Sequence, residues 1–154
     1  MSLIGRIRSL FRGAAPADGQ PRPPGLRTGQ VWSIHNDVSA RVRITIARFD
    51  KTTIEPDGVP QVVDCVHVSV TGMPHLELPD GSLHDGTSSH MPFLRAAVEA
   101  SVRELTATGR KPSPNFEAAY QDWKRNGSSA ILMEPVAVEL EELYKFHAEI
   151  MKDL

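Results

Sequence analysis

The sequence predicts an α+β domain: an antiparallel sheet of three to four strands with three helices packed mainly on one face, in the order βββ-loop-ααβα. Two observations carry this prediction. Apolar residues alternate with period two through the first part of the body and follow the helical period after residue 92. Strand-like segments also precede helix-like ones, an order typical of helices segregated beside an antiparallel sheet. The chain has 154 residues, which suits one domain.

Three segments carry the strand period. A short first strand is predicted at Val31, Trp32 and Ile34. Val42, Ile44 and Ile46 then alternate with Arg41, Arg43 and Thr45, and Val62, Val66, Val68 and Val70 alternate with Val63, Cys65, His67 and Ser69. Pro56-Asp57-Gly58 marks a turn between the two longer strands. So short a connection favours an antiparallel hairpin.

Residues 71–92 lack a clear period, and a small excursion is expected around Asp80-Gly81. A first helix follows, with Pro92 in its first turn, Gly109 after its end, and a face of Leu94, Ala97, Val98, Ser101, Val102 and Leu105. Ser113-Pro114 opens a second helix that carries Phe116, Ala119, Tyr120 and Trp123, and Asn126-Gly127 ends it. A fourth strand is predicted at 130–133. Pro135 then begins a last helix with the stripe Val136, Leu140, Leu143, Tyr144, His147, Ile150, Met151 and Leu154.

The chain begins with a predicted basic amphipathic arm at 1–13 and a Pro/Gly-rich tether at 14–29, followed by a single domain at 30–154. The arm's apolar stripe is Leu3, Ile4, Ile7, Leu10 and Phe11, and Arg6, Arg8 and Arg12 lie off it. Residues 1–27 hold five arginines and one acid, a charge of +4. Residues 28–154 hold twelve basic and eighteen acidic side chains, a charge of −6.

Composition argues against several classes of function. The net charge of −2 gives no general attraction to nucleic acid, so no nucleic-acid partner is expected. The single cysteine, Cys65, leaves no disulfide framework and fits a reducing compartment. The arginines of the arm interrupt its apolar residues, so a secretory signal is not expected either. We expect a cytoplasmic protein without a cofactor. Weak contact of residues 1–13 with a membrane surface is an alternative.

The segment 71–92 holds the candidate catalytic and metal-binding residues. His75, His84 and His90 lie there with Asp80 and Asp85. Imidazoles and carboxylates are ligands for zinc, and a catalytic zinc needs three of them besides water. We therefore name His75, His84, His90 and Asp85 as candidate metal ligands, and the three histidines as candidate catalytic groups. The spacings match no metal signature, and a surface loop of polar turn residues is the alternative interpretation.

Two further residues have a chemical and a structural interpretation. Cys65 and His67 share one face of a predicted strand, so a thiolate activated by histidine is conceivable. A buried structural thiol is the simpler interpretation. His147 lies on the apolar stripe of the last helix, where a lone histidine is usually a core or rim residue.

The last helix is acidic, with Glu134, Glu139, Glu141, Glu142, Glu149 and Asp153 against Lys145 and Lys152. An acidic face can dock a basic partner and speed its encounter. A solvated helix face with pairs such as Glu141 and Lys145 is the alternative. The predicted partner-binding residues are the arm's Leu3, Ile4, Ile7, Leu10 and Phe11 together with Glu139, Glu142 and Glu149.

Short motifs in the body resemble a set of small, largely uncharacterised bacterial proteins. They are Gly29-Gln30-Val31-Trp32, Val66-His67-Val68, His90-Met91-Pro92-Phe93, and Tyr120 with Trp123-Lys124, and the resemblance covers roughly residues 29–140. It implies a small accessory or interaction protein and assigns no catalytic residue.

These observations together predict a non-catalytic protein-binding protein, of immunity or accessory type. Two alternatives stay open. One is a small metal-dependent or histidine-based enzyme that uses the 75–90 loop. The other is a membrane-peripheral adaptor that attaches through the arm.

Overall fold

A computed structural model describes residues 25–77, 80–81, 83–126 and 130–152. The arm, most of the tether, Gly127 and Leu154 lie outside these residues. The described strands are β1 (Val31–Ile34), β2 (Arg43–Ile54), β3 (Gln61–Thr71), β4 (Leu76–Glu77), β5 (Leu83–His84), β6 (Ser88–Leu94) and β7 (Val102–Ala107). The described helices are α1 (Arg95–Ser101), α2 (Phe116–Arg125) and α3 (Val136–Lys152).

The fold is α+β, as predicted. Across the described residues, the main sheet is antiparallel with five strands in the spatial order β6-β3-β2-β1-β7. β4 and β5 form a separate small ribbon that flanks Asp80-Gly81, where an excursion was expected. The predicted count of three to four strands and the predicted element order were wrong, because β6 and β7 form the two edges of the sheet.

The centre of the sheet is the hairpin of β2 and β3, as predicted. Asp57 and Gly58 turn the chain with φ of 55° and 79°, the left-handed region that Gly and Asp tolerate best. The hairpin pairs Ile54 with Gln61 at the turn and Arg43 with Thr71 at its open end. This long pairing fixes which side chains of β2 lie opposite those of β3.

A β-bulge at Ala47 changes the face on which the side chains of β2 lie. Ile46 pairs with Val68, but Arg48 pairs with the adjacent His67, so β2 contains one extra residue. Before the bulge, Ile46 lies on the face of Val68. After it, Arg48 and Asp50 lie on the opposite face, with His67 and Cys65. The bulge therefore places charged residues of β2 beside a buried histidine.

The predicted first helix is shorter than expected. α1 ends at Ser101, and Val102 begins the edge strand β7, which pairs with β1. The Ser101 carbonyl accepts the N–H of His35 at 2.8 Å, and Val102 lies opposite Ile34. Tertiary pairing with β1 thus overrides the helical period through Leu105. Pro92 lies within β6, opposite His67, and does not begin the helix.

The predicted fourth strand at 130–133 is a single parallel bridge between Phe93 and Leu132. The N–H of Leu94 donates to the Leu132 carbonyl, and the N–H of Leu132 donates to the Pro92 carbonyl, both at 2.8 Å. This short segment covers the outer edge of β6 and leads into α3, which begins after Pro135 as predicted.

Helices lie on both faces of the sheet, with α1 and α3 packed against each other, as the 3.0 Å bond from the Val136 N–H to Ser101 Oγ shows. α1 connects the two edge strands, and its Arg95 lies over the Phe49 ring at 5.3 Å. α2 lies on the other face, where Tyr120 is within 4.2 Å of the Arg48 guanidinium. Consequently β3 is buried on both sides from Cys65 to Val70.

Contacts with the body begin at Gly25 among the described residues, since its carbonyl accepts a hydrogen bond from Gln30 Nε2 at 3.0 Å. Leu26 is buried in the core, and the N–H of Gly29 donates to the Ile46 carbonyl at 2.8 Å. The buried Trp32 indole donates to Gln30 Oε1 at 2.9 Å. The last residues of the segment predicted as a tether are therefore packed against the sheet.

Candidate functional site

Two histidines from neighbouring strands meet beneath α2. His67 on β3 and His90 on β6 stack with ring centroids 5.0 Å apart and an angle of 15° between their planes. Nδ1 of His67 lies 2.8 Å from Nε2 of His90, a hydrogen bond in which one ring donates and the other accepts. The antiparallel pairing of β3 with β6 brings these residues together across 23 positions of sequence.

Asp50 and Tyr120 extend the pair into a polar chain. The Tyr120 hydroxyl donates to Asp50 Oδ2 at 2.6 Å. Nε2 of His67 lies 3.2 Å from the same oxygen, but its direction does not meet hydrogen-bond geometry, so that contact is electrostatic. A proton on Nε2 of His67 faces the carboxylate favourably, and Nδ1 then accepts the Nε2 proton of His90. This tautomer leaves Nδ1 of His90 as an acceptor.

Aromatic rings enclose the two histidines. Tyr120 and Trp123 meet the His67 ring edge-on at centroid distances of 4.9 Å and 4.7 Å. Phe116 meets His90 in the same way at 5.5 Å. The α2 residues Phe116, Tyr120 and Trp123 share one helix face, as predicted, and this face shields the histidines from water.

An ion pair fastens α2 to the sheet at the rim of this cluster. Nη2 of Arg48 lies 2.9 Å from Glu117 Oε2, and the guanidinium covers the Tyr120 ring. Ser69 anchors the segment before α2, since its hydroxyl accepts the N–H of Ser113 at 3.0 Å. The same hydroxyl donates to the Ser89 carbonyl at 2.7 Å.

Burial shifts the titration of both histidines. The His67 side chain is 0% exposed. Desolvation, aided by His90 and opposed by Asp50, lowers the pKa of His67 from 6.5 to about 4. Burial also lowers the pKa of His90. Both rings are therefore neutral at pH 7, and a hydrogen bond between two uncharged imidazoles lies beneath α2.

The structure places the predicted metal-binding residues in different settings. His90 belongs to the cluster with His67, whereas His75 is exposed near Gly86. Asp85 Oδ1 accepts the N–H and the hydroxyl of Thr87, as in an ordinary turn. The side chain of His84 lies outside the described residues. Among the side chains that are described, no group of three or more histidines, cysteines or acids could hold a metal ion. The metal site at His75, His84, Asp85 and His90 stays a prediction.

Cys65 is a buried thiol. It is 1% exposed and lies on the face of His67, as the strand period predicted. Burial, with a smaller effect of Asp50, raises the pKa of Cys65 to about 12. The thiolate needed for nucleophilic attack is thus disfavoured, and the structural interpretation of Cys65 is the better supported one.

Sequence reasoning missed the partnership of Asp50 with His67. The missed signal is a break in alternation: Ile44 and Ile46 are followed by Phe49, an odd-numbered apolar residue. That break is where the bulge lies. His67, His90, Tyr120 and Trp123 lie in three separate segments of the sequence, and the structure brings these four together.

A second candidate site is an apolar surface on α3. Val136 and Leu140 are buried and Leu143 packs partly against the core. Further along the helix, Phe146 and Ile150 are 61% and 43% exposed, and their spacing of four residues places them on one side of it, one turn after Leu143. We call these two residues the outer α3 face. The apolar residues of α3 therefore extend past the part of the helix that packs against the core.

Acidic residues flank this face. Glu142 precedes Phe146 by four residues and Glu149 follows it by three, so both lie beside its ring, and both are exposed. Glu139 is half-buried and its Oε1 accepts the N–H of Glu134 at 3.3 Å. Glu141 pairs with Lys145 at 3.2 Å, as predicted. His147 is half-buried on the stripe, as expected of a rim residue.

Comparison of the chain with protein-family models, curated proteins and solved structures gave no match. In the described part of the chain, no helix combines the length and the apolar character needed to cross a membrane.

Proposed function

We propose that this chain is a non-catalytic protein-binding protein of immunity or accessory type, and that the outer α3 face is its contact surface. One observation carries the proposal: the apolar residues of α3 are buried at Val136 and Leu140 but exposed at Phe146 and Ile150, one turn apart on the same side. A contiguous exposed apolar surface on a small domain commonly marks an interaction site. Aromatic residues are also enriched at the centres of such interfaces.

The chemistry of the surface describes the partner. Glu142 and Glu149 beside Phe146 favour a partner that presents cations next to apolar side chains. A basic amphipathic segment of another protein has this composition, and an exposed aromatic ring such as Phe146 suits it as an anchor. The acids steer the encounter, and the apolar contact supplies the affinity.

The test places a photo-crosslinking amino acid at position 146 of the full chain in its native host, with Val62 as the control position. Val62 is 64% exposed on β3, far along the chain from α3. The cross-linked protein is then identified and purified, and its affinity is measured against the wild-type chain, Phe146→Asp and Val62→Asp. We expect Phe146→Asp to weaken binding at least tenfold, about 1.4 kcal/mol or more, and Val62→Asp to leave it unchanged.

Two results contradict the proposal. One is equal affinity of the Phe146→Asp and wild-type chains for the purified partner. The other is a cross-link only between two copies of this chain, which assigns the outer α3 face to self-association.

A second candidate function, general acid–base or nucleophilic chemistry by His90, is favoured by the chain of contacts from Asp50 through His67 to His90. A carboxylate that orients one imidazole, which in turn orients another, is an arrangement that can direct a proton. p-Nitrophenyl acetate is a suitable probe, since a reactive neutral imidazole hydrolyses it. A rate no higher than that of free imidazole, or one unchanged by His90→Gln, excludes this function.

A further inference from the structure

We infer that residues 1–13 of this chain dock on the outer α3 face of the same molecule and regulate its access to a partner. The inference rests on the proposed function of that face. It adds that residues 1–13 of the chain compete with the partner for this face.

The first argument is chemical complementarity. Residues 1–13 place Leu3, Ile7 and Leu10 at helical spacing. The outer α3 face offers apolar side chains of matching kind at Phe146 and Ile150. Burying apolar side chains against one another is favourable, whereas each surface alone meets water.

The arm and the body also carry opposite charges. Arg6, Arg8 and Arg12 lie beside the arm's apolar stripe, as Glu142 and Glu149 lie beside Phe146. The first 27 residues carry +4 and the remainder of the chain carries −6, so the long-range attraction acts toward the body. Charge pairs at the rim of such a contact set its orientation and make it sensitive to salt.

The length of the segment between the arm and the body is also compatible with this contact. Residues 14–24 separate the arm from Gly25, the first described residue, and this length spans at most about 36–40 Å when extended. A domain of this size has a radius of gyration of about 15 Å, so the extended tether is comparable in length to the diameter of the domain. A short tether also holds the arm at an effective concentration on the order of millimolar. A contact too weak to form between separate molecules is then substantially occupied.

The consequence is a displaceable cover. A short amphipathic segment is marginal as an isolated helix in water, and a surface that buries its apolar side chains stabilises it. A partner with more contact area competes for the outer α3 face and releases the arm. Removal of the arm's apolar stripe is then expected to raise the affinity for the partner severalfold. The size of the increase depends on the fraction of molecules in which the arm covers the outer α3 face.

Hydroxyl-radical footprinting of the purified full chain tests the inference without any partner. The oxidation rate of Phe146, on the outer α3 face, is compared among the wild type, Ile7→Asp/Leu10→Asp and Ser2→Asp/Ser9→Asp. The last two variants add the same charge, but Ser2 and Ser9 lie opposite the stripe on a helical projection. We expect the Ile7/Leu10 variant to raise the oxidation rate of Phe146 at least threefold, and the Ser2/Ser9 variant to change it little.

Three results overturn the inference. Equal oxidation of Phe146 in all three proteins shows that the arm leaves the face uncovered. Protection that disappears on dilution assigns the contact to a second copy. A third result combines an unprotected Phe146 with flotation of the wild type on phosphatidylglycerol vesicles. If Ile7→Asp/Leu10→Asp abolishes that flotation, the arm binds a membrane surface. These outcomes are separate from the proposed function, which depends on the affinity of a purified partner for Phe146→Asp.

Discussion

His67 Nδ1 and His90 Nε2 lie 2.8 Å apart, and each histidine ring depends on the other for that hydrogen bond. The pair is enclosed between the sheet and α2, and the His67 side chain is 0% exposed, so a proton added to His67 creates a charge with little access to water. The interior of this face is therefore built around two neutral imidazoles, and its stability is linked to pH.

The first prediction concerns that linkage. The groups that face His67 are Asp50 and Arg48 on β2, His90 on β6 and Tyr120 on α2. The folded pKa of His67 is about 4, below the unfolded value of 6.5, so the unfolded chain binds a proton first as pH falls. The stabilisation is complete above pH 6.5 and is lost progressively between about pH 6.5 and 4. The loss amounts to about 3 kcal/mol.

Urea unfolding at pH 7.5 and pH 5 measures about 2 kcal/mol of this loss, since the transition is still incomplete at pH 5. His67→Phe, which keeps a ring of similar size, is expected to flatten the dependence of unfolding free energy on pH. His35→Gln serves as the control because His35 is exposed and outside the cluster. A wild-type chain equally stable at both pH values contradicts the prediction.

The second prediction concerns the hydroxyl of Tyr120. Its bond to Asp50 at 2.6 Å is charge-assisted, and such bonds contribute about 1.5–3 kcal/mol when both partners are shielded. Asp50 is 32% exposed, so water compensates in part for a lost hydroxyl. Tyr120→Phe is expected to lower the free energy of unfolding by about 1–2 kcal/mol. Tyr144→Phe, on the exposed part of α3, is the matched control and is expected to change it by less than about 0.5 kcal/mol.

Local periodicity predicted most of the scaffold and little of the site. The hairpin of β2 and β3 and the helix at 136–152 each have a long, clear repeat, so their types were correct. β6 was missed because Pro92 resembles the start of a helix, although it lies in an edge strand where its missing N–H does no harm. β7 was missed because Val102 and Leu105 continue a helical spacing, and only pairing with β1 decides their conformation.

The site depended on contacts that no local pattern contains. His67 and His90 are brought together by the register of β3 against β6, and Asp50 joins them only because Ala47 bulges. His90 was chosen from the sequence as one of three loop histidines, but its partner came from a strand. Of the outer α3 face, Ile150 belongs to the stripe predicted from the sequence, whereas Phe146 lies outside that stripe. The exposure of this face could not be predicted, since that depends on where the core ends.

The third prediction concerns the reactivity of Cys65. The thiol is buried, and its pKa of about 12 leaves almost no thiolate at pH 8. Iodoacetamide is therefore expected to leave Cys65 unmodified in the native chain and to alkylate it fully in urea, as read by intact mass. Val62→Cys in a Cys65→Ala background supplies the exposed control and is expected to react within minutes. Rapid modification of native Cys65 disagrees with a structural role.

The fourth prediction separates two glycines that share a backbone conformation but not their surroundings. Gly72 and Gly58 have φ of 80° and 79°, so alanine is strained at both. A Cβ at Gly72 also collides with the Arg41 carbonyl, whereas a Cβ at Gly58 meets nothing within 4 Å. Gly58→Ala is expected to cost about 1 kcal/mol from strain alone. Gly72→Ala adds a backbone clash and is expected to cost about 2–4 kcal/mol.

Thermal and urea unfolding of both alanine variants measure the difference. Because the conformational strain is common to the two, the excess for Gly72→Ala reports the close approach of the chain after β3 to the segment before β2. That approach closes the open end of the hairpin, where Arg43 pairs with Thr71. Equal destabilisation by the two substitutions shows that the hairpin end opens at little cost in free energy. The contacts that stabilise the sheet then lie nearer His67 and the core.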